Sequence, residues 1–226
     1  MLAAVEKRIF DKLVPWHEID RDKALANTLV LDRLREACLI ESYFAVYTGK
    51  MLGLFWYDVD ATSIFAIEAF EAYTHYYGLR RYLREVGYHP ITDEEVVALR
   101  ERDLDKTYTD EVRELVNFAM TEHFAHHFFA DLAEMAAEPV LKRMLAHFSE
   151  QEATHSEFAL ELLEKRLRAD PGVKARILEC ARDYTHIGAY VLPRVSTARE
   201  DNLRAIVAFN RRLEQLLGQS LSDYLA

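Results

Sequence analysis

Four stretches of the chain, 31–56, 61–86, 107–136 and 139–168, each run with scarcely a turn residue inside them. Each is long enough for roughly seven or eight turns of helix. Only 7 Gly and 5 Pro occur in 226 residues, less than half of the roughly 12% expected from average usage. A many-stranded sandwich needs turn residues every 8–12 positions or so, so the chain reads as long helices joined by short links. The links are marked. Asp58 to Asp60 divide the first two stretches, and Gly87 to Pro90 close the second. Thr92 with Glu95 has the spacing of a capping box that starts a short helix. Glu138-Pro139 sets proline in a first helical turn, and Asp170-Pro171 repeats the device. Shorter helices follow over 171–187 and 198–217, the latter opened by a second capping box at Thr197 and Glu200. The expected fold is all-α, one domain over 1–226, with a four-helix bundle over about 31–168 and C-terminal helices over about 171–217.

The longest run without Asp, Glu, Lys or Arg is Tyr184 to Pro193, far short of the roughly 18 apolar residues of a membrane span. The N-terminal MLAAVEKRIFDKLV carries acidic residues and no uninterrupted apolar stretch, unlike a secretory signal. Cys38 and Cys180 form no CxxC pair and suit a reduced cytoplasm, which is the expected location. A net charge of −10 argues against general affinity for nucleic acid.

Function is written on the helix seams, which should be apolar at alternating spacings of three and four. In the fourth stretch the seam runs Leu141, Leu145, Phe148, Glu152, His155, Ala159 and Leu162. The third runs Leu115, Phe118, Glu122, Ala125, Phe129 and Leu132; the first, Ala37, Glu41, Phe44, Thr48 and Met51. The second carries a polar stripe, Ile64, Glu68, Glu71, His75, Gly78 and Tyr82. Isolated buried ions cost several kcal/mol each, and no Lys or Arg occupies the middle of these seams. Bound divalent cations would resolve the cost.

The order Glu, Glu with His, Glu, then Glu-x-x-His is the ligand set of ferritin-like di-iron and di-manganese carboxylate proteins. TEHFAHHFFADLAEMAAEPVLKRMLAHFSEQEATHSEF (121–158), IESYFAVYTGKML (40–52) and SIFAIEAFEAYTHYYGLRRYL (63–83) resemble segments of the acyl-carrier-protein desaturases of that superfamily. The likeness covers about residues 30–165, with a weaker echo at AYVLPRV. Three positions depart from the family pattern. Ala72 stands where the family has a Glu three residues before His75, Gln151 where it has Asp, and Ala125 where it has Thr.

The resemblance implies a ferritin-like bundle holding two irons, or manganese, with O2 as co-substrate. It implies desaturation or oxygenation of an apolar substrate, such as a fatty acyl chain. The ligands expected are Glu41, Glu71, His75, Glu122, Glu152 and His155, with Glu68 and His126 as further candidates. Glu71 and Glu68 compete for the vacancy at Ala72. Angle on the helix favours Glu68, whereas axial distance to His75 favours Glu71, so Glu71 is expected to bind metal and Glu68 to accept a hydrogen bond behind it. No GxGxxG motif is present, so reductant is expected from an electron-donor protein of ferredoxin type. An acyl carrier protein and a second copy of the chain are the other candidate partners. The alternative expectation is a ferritin-like protein that binds or oxidises metal without an organic substrate, or a degenerate homologue.

Overall fold

The structure, a computed structural model, describes residues 14–195 and 202–225. Among these the chain is helical without a strand: α1 Arg21–Leu25, α2 Thr28–Leu54, α3 Val59–Val86, α4 Asp93–Glu101, α5 Glu111–Met135, α6 Pro139–Ala169, α7 Val173–Arg182, α8 Leu203–Leu217 and α9 Leu221–Leu225. Among the described residues, no helix is long and apolar enough to cross a membrane.

Short side chains set the long helices' starts. Asn27 accepts from the Val30 amide at the head of α2, and Asp58 accepts from Asp60 and Ala61 at the head of α3. Gly87, at φ 75°, closes α3 in the left-handed conformation that favours glycine. The Thr92–Glu95 capping box is present at α4, and Pro139 occupies the first turn of α6 behind the Glu138 cap. The 55–58 link folds α3 back along α2; the 136–138 link folds α6 back along α5.

Three expected boundaries move. The third long helix begins at Glu111 rather than 107, because Asp110 takes the Arg113 amide and caps it there. Pro171 lies in a turn before α7 rather than in its first turn, since Asp170 Oδ1 accepts from the Gly172 amide at 2.8 Å and turns the chain. That helix stops at Arg182 instead of 187, and a 3-10 turn follows at Ile187–Tyr190. The Thr197–Glu200 capping box lies outside the described residues; α8 is seen from Leu203, capped by Asn202.

The apolar interior is in two parts. One is built on Tyr47, Phe55, Phe65, Phe118 and Leu163. The other gathers Leu31, Leu79, Leu132, Leu145 and Phe148. On each long helix the change from one part to the other falls at a buried polar residue: near Glu41 on α2, His75 on α3, Glu122 on α5, and Glu152 with His155 on α6. Four helices thus carry their seam interruptions to a common level.

Candidate metal centre

At that level two overlapping groups of side chains converge. Glu41, His75 and Glu152 form one; Glu68, Glu122, Glu152 and His155 form the other, and all are buried. Glu152 belongs to both. Its Oε1 lies 2.9 Å from His75 Nδ1, and its Oε2 lies 2.9 Å from His155 Nδ1. Glu41 Oε2 is 3.5 Å from His75 Nδ1. Around His155 Nδ1 stand Glu68 Oε2 at 2.7 Å and Glu122 Oε2 at 3.8 Å.

The outward nitrogens are engaged separately. His75 Nε2 faces Gln151 Oε1 at 3.0 Å, and His155 Nε2 faces Glu71 Oε2 at 2.6 Å. Both oxygens accept, so both rings carry a proton on Nε2. This is the arrangement by which imidazole ligands are held with Nδ1 toward a metal.

Three atoms of the cluster lack a hydrogen bond of good geometry: Glu68 Oε2, His75 Nδ1 and Glu122 Oε1. Glu68 Oε2 and His75 Nδ1 stand close to other polar atoms without being aimed at them, as ligand atoms aimed at a shared centre do. Ligands about 2.1 Å from one ion lie roughly 3.0–3.5 Å from each other, close to the separations above. The charges are compatible with this. Four carboxylates would be balanced by two divalent cations, and among the described residues their ion-pair partners are the two imidazoles alone.

Electrostatics record the same demand. Burial pushes Glu41 up to about 7 despite the opposing pull of His75, whose Nδ1 is 3.5 Å away. Burial, reinforced by Glu68 and Glu152, also holds Glu122 well above the carboxylate range. Burial works against ionised Glu152 too, yet the hydrogen bond from Glu122 and the charges of His75 and His155 keep it well below that range. His75 rises to about 10 against the cost of burial, chiefly through Glu152. His155 is raised by Glu68 and its other carboxylates, again against burial. Protons thus do in this chain what cations would otherwise do: they neutralise converging carboxylates.

Glu41, His75, Glu122, Glu152 and His155 come together as expected from sequence. The two second-helix carboxylates are placed in the reverse of their expected order. Glu68 enters the cluster with a side chain only 2% exposed, while Glu71, 26% exposed, lies behind His155 as the hydrogen-bond acceptor. Axial distance to His75 had favoured Glu71, but Glu68 meets His155 across the bundle. It need not share an ion with His75, so that distance ceases to matter. His126 stands apart; its ring turns to Ser149 on α6, 2.9 Å from both the backbone oxygen and the hydroxyl.

Two cavities flank the cluster. One of about 10 Å³ lies against Glu41, Glu122, Phe44, Phe129 and Ala125, and has room for one water-sized molecule. The other, about 290 Å³, lies outside the histidines and is bounded by Phe70, Glu71, Met144, Phe148 and Gln151. No family model, curated protein or solved structure matches the chain.

Proposed function

We propose that this chain is a ferritin-like, dinuclear-iron oxidoreductase that uses O2 to desaturate or oxygenate an apolar substrate. The observation that carries the reading is Glu152, whose two oxygens are divided between His75 and His155 at 2.9 Å each. A carboxylate so shared is suited to bridging two ions. Glu41 and His75 would complete one shell, and Glu68, Glu122 and His155 the other. A carboxylate-rich set with two imidazoles suits iron, with manganese the nearest substitute. Bound iron would supply O2 reduction and the oxidising power needed at an unactivated C–H bond.

The chain's own work is positional and protonic. Gln151 and Glu71 fix the two imidazole tautomers. Burial raises Glu41 to about 7 and Glu122 well above the carboxylate range, so these two carboxyls hold protons that would have to leave for the groups to serve as ligands. Phe44, Phe128 and Phe129 keep bulk water from the small cavity beside these carboxylates. Reductant would come from a separate ferredoxin-like donor.

One observation favours a second reading, in which metal is oxidised without an organic substrate. The cavity on the carboxylate side, about 10 Å³, is of the size of one water and not of an acyl chain. Iron analysis and oxygen uptake separate the cases. Two irons per chain, with O2 consumption that increases on adding a fatty acyl substrate and reductant, support the oxygenase or desaturase. Uptake set by ferrous iron alone supports the second reading. Absence of iron, manganese and zinc from protein loaded under anaerobic conditions overturns both.

A further inference from the structure

Two buried acids lie outside the carboxylate cluster: Asp103 and Glu114, at 1% and 3% exposure. Each is held by a pair of phenols. Tyr43 and Tyr108 both donate to Asp103 at 2.7 Å. Tyr47 donates to Glu114 at 2.9 Å, and the Tyr190 hydroxyl reaches the same oxygen at 3.4 Å. Lys50 Nζ lies 2.9 Å from Asp103 Oδ2 and balances its charge. Phenylalanine at these four positions would fill the same space and need no buried acid, whose desolvation costs several kcal/mol. Packing alone does not call for them.

The rings form a continuous path. Phe44 lines the small cavity beside Glu41 and Glu122, and it meets Tyr47 edge-on at a centroid distance of 5.9 Å. Tyr47 touches Tyr108 at 5.8 Å and Tyr190 at 6.2 Å, and those two stack at 5.5 Å with their planes 26° apart. These are the spacings of aromatic rings in contact. Tyr47 is fully buried, whereas Tyr108 and Tyr190 are partly exposed. The path thus runs from the wall of the candidate centre to solvent.

We infer that Tyr47, Tyr108 and Tyr190 form a one-electron relay that carries oxidising equivalents from the dinuclear centre to the surface when no substrate takes them. The inference rests on the dinuclear reading, which supplies the oxidant, iron oxidised by O2. Tyr47 is oxidised first: its electron passes to the centre, its O–H bond breaks, and the proton moves to Glu114. The neutral phenoxyl radical then takes an electron from Tyr108 or Tyr190 and recovers its proton from Glu114. The outer tyrosine in turn leaves its proton on the acid it faces, Asp103 for Tyr108 and Glu114 for Tyr190. Without these acceptors, oxidation would leave a phenol radical cation in an apolar interior, where an unpaired charge costs several kcal/mol. Phe44 has no proton to give and serves only as the contact the electron crosses. At the surface, an electron from the external one-electron donor and the proton held by the acid restore the outer tyrosine. The net result is one electron delivered to the centre for each one taken from the donor.

The test has two arms. In the metal-free full chain, the exposed Asp105 is replaced by Cys and coupled to a ruthenium polypyridyl photo-oxidant; Cys38 and Cys180 are buried and escape the label. A light flash should produce phenoxyl absorbance. Most of it should be lost with Tyr108→Phe and Tyr190→Phe together, and none with Tyr88→Phe, which is outside the path. In the second arm the iron-loaded chain is mixed with O2 without substrate and frozen. Electron paramagnetic resonance should show a phenoxyl radical, identified by its narrowing with ring-deuterated tyrosine, and Tyr47→Phe should remove it while circular dichroism shows the fold unchanged. A purely structural cluster gives no radical in either arm. No phenoxyl in the first arm overturns the relay and leaves the dinuclear reading intact. So does a second-arm radical that is absent from iron-loaded wild type, or one that survives Tyr47→Phe. Failure to take up iron overturns the dinuclear reading, and the relay with it.

Discussion

A seven-residue interval on α3 decides more of the candidate centre than any other stretch, because Glu68, Glu71 and His75 end in different places. Glu68 reaches the cluster, and Glu71 accepts from His155 Nε2. Glu68→Ala should therefore abolish one metal equivalent, read by elemental analysis. Glu71→Ala should keep both metals while weakening affinity about tenfold; equal losses would place Glu71 among the ligands. The helical angle alone already pointed to Glu68. What sequence did not contain was the partner across the bundle, since His155 is 84 positions from Glu71 and further from Glu68. A second residue acts through pH. Glu114 is buried beneath Tyr47, whose hydroxyl donates to it at 2.9 Å, and burial raises it from 4.5 to about 7 in spite of that bond. The folded state binds the proton more tightly, so this stability is full below 4.5 and is lost as pH rises through 7. The gap corresponds to about 3 kcal/mol. Glu114→Gln keeps an acceptor for Tyr47 and cannot ionise. In urea titrations it should match wild type near pH 5 and exceed it by about 1–3 kcal/mol at pH 8; a constant difference across that range would remove Glu114 as the cause.

Helices were legible from sequence where their periodicity was long and their caps local. Thr92, Glu95 and Pro139 act within a few residues of themselves, and their helices begin where expected. Boundaries failed where two signals competed over a short distance, as at Asp110 against 107 and at the Asp170 turn against Pro171. The head of α3 joins a local signal to a distant one. Asp58 caps that helix, and its carboxylate also receives Lys165 Nζ at 3.0 Å and Arg166 Nη1 at 2.8 Å from the far end of α6. Those ties hold it below its ordinary pKa against the cost of burial. Asp58→Ala loses a cap, about 1 kcal/mol, and leaves the half-buried Arg166 with Glu111, 3.1 Å away, as its remaining carboxylate partner. The expected cost is about 1–3 kcal/mol in all, measured as a lower urea midpoint with unchanged slope. Asp58→Asn retains a capping oxygen without the charge and should recover about 1 kcal/mol of it. No difference between the two variants would mean that the cap contributes nothing here.

Across the whole molecule, a polar layer divides two apolar interiors, and a chain without metal must tolerate it. Buried acids with unmet hydrogen-bonding atoms are destabilising, by about 1–3 kcal/mol for each such group. Glu122 is such a residue, since its Oε1 has no partner and burial keeps the group protonated. Glu122→Met preserves length and removes the polar end. It also removes the hydrogen bond to Glu152, which limits the gain to about 1 kcal/mol. In the presence of a chelator the variant should therefore melt about 2–4 °C above wild type. With metal at about 100 times its dissociation constant, wild type gains about 2.7 kcal/mol by linkage. A variant that has lost the Glu122 oxygen loses much of that gain. The order of the two melting temperatures should invert between chelator and anaerobic ferrous iron. A cluster that serves only to pack or solvate the bundle gives the same order under both conditions, because neither iron nor chelator would distinguish the two chains. Inversion therefore identifies the polar layer as a site kept at a cost to the metal-free fold, with Glu122 among the groups responsible.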